Sequence, residues 1–191
     1  LVEKRTEWVG SVSSDITQSL ALGGLTDGVT NIELTAAFAG IQNGGVYNKP
    51  RFYTTIVDHD GQTRIDNTVK SRQFMKASNA YCLTSAMQDV VTKGTGAKVN
   101  FGNMAIAGKT GTTSDDNDVW FSGYTPYYTA TTWAGFDNNT KLSSSAEKNL
   151  AKTVWKKVMS RIHEDLPYED FPVPGGLVSC AICTKSGKLP V

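Results

Sequence analysis

The stretch Ala105-Ile106-Ala107-Gly108-Lys109-Thr110-Gly111-Thr112-Thr113 constrains this chain more than any other. It reads as a strand, Met104 to Thr113, built from residues that pack a sheet face poorly. A strand of this kind leaves room for something else to approach it. Alternation sets Lys109 and Gly111 on one face and Thr110 and Thr112 on the other. Lys109 supplies fixed positive charge, and the two Thr hydroxyls supply donors beside it. Gly111 removes a side chain where a ligand nears the backbone. Together they suit an anionic, acyl-bearing substrate.

Gly108-Lys109-Thr110 also invites a P-loop NTPase reading, which the spacing opposes. A phosphate loop has four residues between its glycines, whereas Gly102 and Gly108 enclose five. The sequence after Lys109, Thr-Gly-Thr-Thr-Ser-Asp-Asp-Asn, does not open a helix with an apolar stripe. ATP with magnesium is therefore not expected to bind.

A length of 191 residues suffices for one domain with a substantial core, and 39% hydrophobic residues look globular. Nineteen basic and 18 acidic residues are interspersed, which argues against a nucleic-acid surface. The basic cluster Lys148, Lys152, Lys156 and Lys157 reads as a solvated helix face. No apolar run is long enough to span a membrane. Leu1-Val2-Glu3-Lys4 opens into polar sequence without a secretory signal, as expected of a piece of something longer whose anchor lies upstream. Of the three cysteines, Cys82 reads as a small core residue. Cys180 and Cys183 form a lone C-x-x-C followed by turn residues, weak support for a metal or redox site. No cofactor and no metal are implied.

The Gly-rich loop from Leu20 to Gly28 lacks a phosphate-binding pattern. Thr30-Asn31-Ile32-Glu33 is a capping box, and the helix it opens should end at Asn43-Gly44-Gly45. Arg51 to Asp58 and Gln62 to Asp66 read as strands about the turn Asp58-His59-Asp60-Gly61, with His59 a turn residue. A second helix, Ala77 to Val91, carries the apolar stripe Ala80, Leu83, Met87 and Val90. Asp118 to Tyr124 and Tyr127 to Phe136 form a hairpin joined at Thr125-Pro126. In it Trp120, Phe121, Tyr124 and Trp133 read as core and cross-strand pairs. A third helix opens through a capping box of Ser144 and Glu147, buries Leu150, Val154, Val158 and Ile162, and stops before Pro167. His163 at its end is favoured there by the helix dipole. Residues 1–166 are expected to form the folded part and 167–191 a tail or linker.

These segments resemble, across most of the chain, the C-terminal half of a class A penicillin-binding protein transpeptidase domain, within the penicillin-binding and serine β-lactamase-like superfamily. The resemblance rests on Leu20-Ala-Leu-Gly-Gly, Gly28-Val-Thr-x-x-Glu33-Leu and Asn43-Gly-Gly-Val-Tyr. It continues through Val90-Val-Thr-Lys-Gly-Thr-Gly-Ala97, Gly108-Lys-Thr-Gly-Thr-Thr and Trp120-Phe-Ser-Gly-Tyr-Thr-Pro, and ends at Ser186-Gly-Lys-Leu. The enzyme group carries S-x-x-K, S-D-N and K-T-G motifs. The resemblance implies an α/β (α+β) fold, a mainly antiparallel sheet flanked by helices. It implies acyl transfer from D-Ala-D-Ala stem peptides through a serine acyl-enzyme that β-lactams trap. Lys109 would then act beside the substrate carboxylate and the second-motif serine, as a catalytic residue. Thr110, Gly111 and Thr112 would line the substrate site, with the Thr112 N–H an oxyanion donor.

The chain departs from the family in what it lacks. Its single S-x-x-K, Ser145-Ala-Glu-Lys148, lies downstream of the K-T-G, and its Ser and Glu suit a capping role. No S-x-N occurs, and Ser13-Ser14-Asp15 is the nearest approach. The isolated chain is therefore expected to be inactive and to need the missing N-terminal half, with self-association through an exposed apolar face. The parent is expected at the extracellular face of the cell membrane, with a glycosyltransferase domain upstream. A non-catalytic β-lactam-sensing or scaffolding domain of the same fold is the alternative.

Overall fold

Thr30 opens the first long helix as its sequence requires. A computed structural model describes residues 6–8, 11–13, 16–26, 28–102 and 104–189 of this chain. In it the Thr30 hydroxyl accepts from the Glu33 amide and the Glu33 carboxylate accepts from the Thr30 amide at 2.8 Å, ahead of α1, Asn31–Gln42. The helix ends at Asn43, and Gly44 and Gly45 follow with φ of +62° and +85°. At Gly45 a side chain would also overlap the Met75 carbonyl, so the turn needs glycine twice over.

Four antiparallel sheets are present among the described residues. β1 (Thr6–Trp8) pairs with β2 (Ser11–Ser13), and β3 (Val46–Asn48) pairs with β6 (Ser71–Gln73). β4 (Thr55–Val57) pairs with β5 (Thr63–Asp66). The strand expected over Arg51 to Asp58 is thus trimmed to its last residues. Asp58 takes over there, its carboxylate accepting from the Asp60 and Gln62 amides and pairing with Arg64 at 2.7 Å. His59 at that tip is exposed and pairs with Asp60, as a turn residue should.

The principal sheet is β7 (Ala107–Thr112), β8 (Asp118–Tyr124) and β9 (Thr129–Gly135), in that order. Residues 104–106 fall outside β7 because β8 ends at Tyr124, opposite Ala107. Gly108 faces Gly123 across the ladder, and a side chain at Gly108 would come 2.6 Å from the Phe121 ring. Phe121 and Tyr124 are fully buried, while Trp120 and Trp133 pair across β8 and β9 with centroids 6.4 Å apart.

Two helices differ in detail from expectation. In α2 (Ala77–Thr92) the buried residues are Ala80, Thr84, Met87 and Val91; Leu83 is 40% exposed. Thr84 goes inward because its hydroxyl bonds the Ala80 carbonyl at 2.9 Å and pairs with the Tyr124 hydroxyl at 2.7 Å. Cys82, expected in the core, is exposed on the outer side. The third helix breaks at Asn149 into α3 (Ser145–Lys148) and α4 (Leu150–Ile162). Its cap is Ser144, with Glu147 closing the box.

The face that α4 buries is Ala151, Trp155 and Met159, one residue on from the expected stripe. Leu150, Val154, Val158 and Ile162 stay 45%, 39%, 51% and 46% exposed. Trp155 decides the rotation. Its ring is the largest group available to fill the sheet face, it meets Phe121 edge-on at 4.9 Å, and its Nε1 donates to the Ala130 carbonyl. His163 follows on the same face. It is buried at the helix end, with Nδ1 2.7 Å from the Met159 carbonyl one turn back and Nε2 2.8 Å from the Thr125 hydroxyl, so a tertiary bond adds to its place at the C-terminus.

The main core joins α4 to the sheet through Val91, Val99, Val119, Phe121 and Trp155. A second cluster holds Met87, Ala105, Ala107, Tyr124 and Phe171. Phe171 meets Tyr124 edge-on at 5.5 Å, whereas residues 178–189 are all exposed. Among the described residues no helix is long and apolar enough to cross a membrane.

Candidate active site

The register of β7 on β8 fixes which groups share a face. Lys109 stands opposite Ser122 and Gly111 opposite Trp120, so these side chains lie on one side. Thr110 opposes Phe121 and Thr112 opposes Val119, on the side that α4 covers. The Lys109 side chain is exposed, and its Nζ donates to the Thr110 carbonyl at 2.9 Å. Beside it lies a polar layer in which Thr131 donates to the buried Ser122 hydroxyl at 3.1 Å.

Gly111 has a packing reason that the sequence did not disclose. A side chain there would come 3.2 Å from the Trp120 Cβ, tighter than ordinary contact. Trp120 is held in turn by Trp133, whose Nε1 donates to Asp118 at 2.8 Å.

β7 is an edge strand. Its neighbour is β8, and among the described residues no strand lies on its other side. The Thr113 amide donates to the Asp118 carbonyl at 3.1 Å. Amides alternate in direction along an antiparallel strand, so the Thr112 N–H points away from β8, toward the open edge. Among the described residues the site therefore presents an unpaired backbone donor three residues from the exposed Lys109 ammonium group.

The loop after β7 is tied down. The Thr113 hydroxyl accepts from the Asn117 and Asp118 amides at 3.0 Å each. Asp116, at φ +60°, receives a 2.7 Å hydrogen bond from Lys148, and Lys141 lies at 4.0 Å. The Lys148 hydrogen bond holds the Asp116 carboxyl below its usual range, against a smaller opposing effect of burial. The Asp116 carbonyl also takes the Leu142 amide. Asp116 and Lys148 are positioning residues that sequence reasoning missed. Thirty-two positions separate them, and nothing in the S-x-x-K that holds Lys148 points to Asp116.

Lys148 is thereby accounted for. The Ser145-x-x-Lys148 motif is the first turn of a capped helix, with its lysine committed to Asp116 and the Ser145 carbonyl to Asn149. Ser14 and Asp15, and the Ser13 side chain, lie outside the described residues. Cys180 and Cys183 are free and exposed in the tail. Among the described residues no cluster of three or more His, Cys, Asp and Glu is placed to hold a metal ion.

Comparison with known proteins matches residues 2–160 to the family described as penicillin binding protein transpeptidase domain. Penicillin-binding protein 1A of Clostridium botulinum (strain Langeland) is 34% identical over 173 residues, 90% of this chain and 21% of that protein. Penicillin-binding protein 1A of Clostridium acetobutylicum is 36% identical over 160 residues, 83% of this chain and 19% of that protein. The chain thus spans about a fifth of the length of these curated relatives. The solved penicillin-binding protein 1A from Haemophilus influenzae superposes with a TM-score of 0.77 at 22% identity, over 91% of this chain and 32% of that one. That last likeness is one of fold.

Proposed function

This chain belongs to the penicillin-binding protein transpeptidase domain family, and on that premise we propose that it supplies the K-T-G strand of a peptidoglycan D,D-transpeptidase. The nucleophile comes from a segment outside these residues. A serine of that segment attacks the carbonyl of a D-Ala-D-Ala stem peptide and expels the terminal D-Ala. The acyl-enzyme then passes to an amine on a neighbouring peptide, and β-lactams trap the same serine.

The observation that carries this reading is the open edge of β7. There the Thr112 N–H points outward, free to stabilise an oxyanion, and the exposed Lys109 offers charge to a carboxylate and to a second-motif serine. Thr110 and Thr112 border the carboxylate, with Gly111 between them. No substrate-binding cofactor enters the scheme. Loss of one oxyanion donor lowers comparable reactions by on the order of 10²–10³.

Two surfaces support completion by another segment. The outer edge of β9 has no strand paired to it among the described residues. On α4 the apolar row Leu150, Val154, Val158 and Ile162 is exposed. The missing half of the domain would cover both, and without it the same surfaces favour self-association. The parent would work at the extracellular face of the membrane, through an anchor outside this chain, and a glycosyltransferase domain upstream is an expectation by analogy.

A fluorescent penicillin and a denaturing gel test the proposal. The isolated chain should show no covalent label. The chain joined to, or mixed with, its upstream half should label, and Lys109→Ala should lower labelling severely. A labelled band from the isolated chain, mapped to Ser145 or any other serine here, would overturn the assignment. An upstream sequence without S-x-x-K would favour a non-catalytic sensing or scaffolding role.

A further inference from the structure

Thr110 does not stand alone on its strand. Its hydroxyl lies 2.8 Å from the hydroxyl of Thr95, in the link between α2 and β7. That link is rigid for a specific reason. The amides of Gly94 and Gly96, on either side of Thr95, both donate to the Val90 carbonyl, at 3.2 and 3.0 Å. A side chain at Gly94 would come 3.0 Å from that carbonyl oxygen and one at Gly96 3.1 Å, so both glycines give the link a close fit. Thr95 is thus clamped at the C-terminal end of α2 and aimed at β7.

We propose that Thr95 is a positioning residue for Thr110, setting the direction of the Thr110 hydroxyl proton toward an anionic ligand; the inference rests on the transpeptidase reading above. A threonine hydroxyl has one proton and two lone pairs. When Thr110 donates to Thr95, it meets an approaching carboxylate with lone pairs and repels it. When Thr95 donates to Thr110, the Thr110 proton is left for the carboxylate. The arriving anion selects the second arrangement, and the incoming bond from Thr95 polarises the Thr110 hydroxyl into a stronger donor. Thr95 is partner to the carboxylate-binding group without touching the ligand. No motif of the K-T-G strand includes it, because fifteen positions separate the two residues.

The test uses the complete transpeptidase domain, expressed with its upstream segment, and benzylpenicillin as the carboxylate-bearing probe. Stopped-flow acylation separates the dissociation constant of the pre-covalent complex from the acylation rate. Thr95→Val should weaken the pre-covalent complex roughly fivefold, the scale of one neutral hydrogen bond. Thr95→Ser, which keeps the hydroxyl, should remain near wild type. In a Thr110→Val background Thr95→Val should have no further effect, since its partner is gone. Thr95→Val binding as well as wild type would overturn the inference, as would a fivefold loss that persists with Thr110→Val. If the unsubstituted domain is not acylated at all, the transpeptidase reading itself fails, a result distinct from either.

Discussion

Thr125→Val should destabilise this chain by about 2–4 kcal/mol, far more than its single-atom change in shape suggests. Thr125 is fully buried at the end of β8, and its hydroxyl organises three partners. It accepts from the Tyr127 and Tyr128 amides at 3.1 and 3.2 Å. Those bonds fill both lone pairs, so its proton goes to His163 Nε2 at 2.8 Å. The other ring nitrogen, Nδ1, donates to the Met159 carbonyl at 2.7 Å, because a carbonyl can only accept. Each bond contributes about 1 kcal/mol net, and a buried partner left without one loses about 1–3 kcal/mol. The two tyrosine amides are half-buried and regain part of this from water, which sets the upper figure. Valine fills the same volume, so no cavity contributes. Thr125→Ser, which loses only a methyl group, should cost about 1 kcal/mol. Urea unfolding followed by tryptophan fluorescence reads both variants, since Trp155 is buried beside this cluster. A Thr125→Val midpoint no lower than that of Thr125→Ser would refute the hydrogen-bond argument.

Burial pushes the Tyr124 phenol up to about 12, against a smaller opposing effect of the Thr84 hydroxyl. The unfolded chain ionises this group near 10, so the contribution is intact below pH 10 and is lost between about pH 10 and 12, on the order of 2–3 kcal/mol. Tyr124→Phe should flatten that part of the curve of urea midpoint against pH. Gly45→Ala should destabilise by about 2–4 kcal/mol, through positive φ and overlap with the Met75 carbonyl, and thermal melts followed by circular dichroism check it. Lys148→Gln should leave the chain folded yet quicken hydrogen exchange at Asn117 and Asp118, because Asp116 loses its tether. Unchanged exchange there would show that Thr113 alone holds the loop.

Local chemistry was readable wherever one residue acts on its near neighbours. Both capping boxes, at Thr30 and Ser144, form as their spacing requires. So do the turn at Asp58, the β8–β9 hairpin and the strand character of Lys109-Thr110-Gly111-Thr112, since local turns and strands adjacent in the chain determine each. The family likeness also lay in these short segments, and the match over residues 2–160 agrees with it.

Packing against distant segments was not readable in the same way. Apolar periodicity on α4 offers two adjacent stripes, Leu150-Val154-Val158-Ile162 and Ala151-Trp155-Met159. Spacing cannot choose between faces about 100° apart. The sheet chose, because Phe121 and the Ala130 carbonyl accommodate the Trp155 ring and its N–H together. On α2 the inward turn of Thr84 depended on a tyrosine hydroxyl 40 positions away. His163 joined Thr125 across 38 positions, and Lys148 reached Asp116 across 32. The sequence alone determined where helices, turns and the K-T-G strand lie, because those depend on bonds between near neighbours. Only the tertiary structure decided which faces are buried and which hydroxyls and charges meet, because those bonds exist only once the chain has brought remote residues into contact.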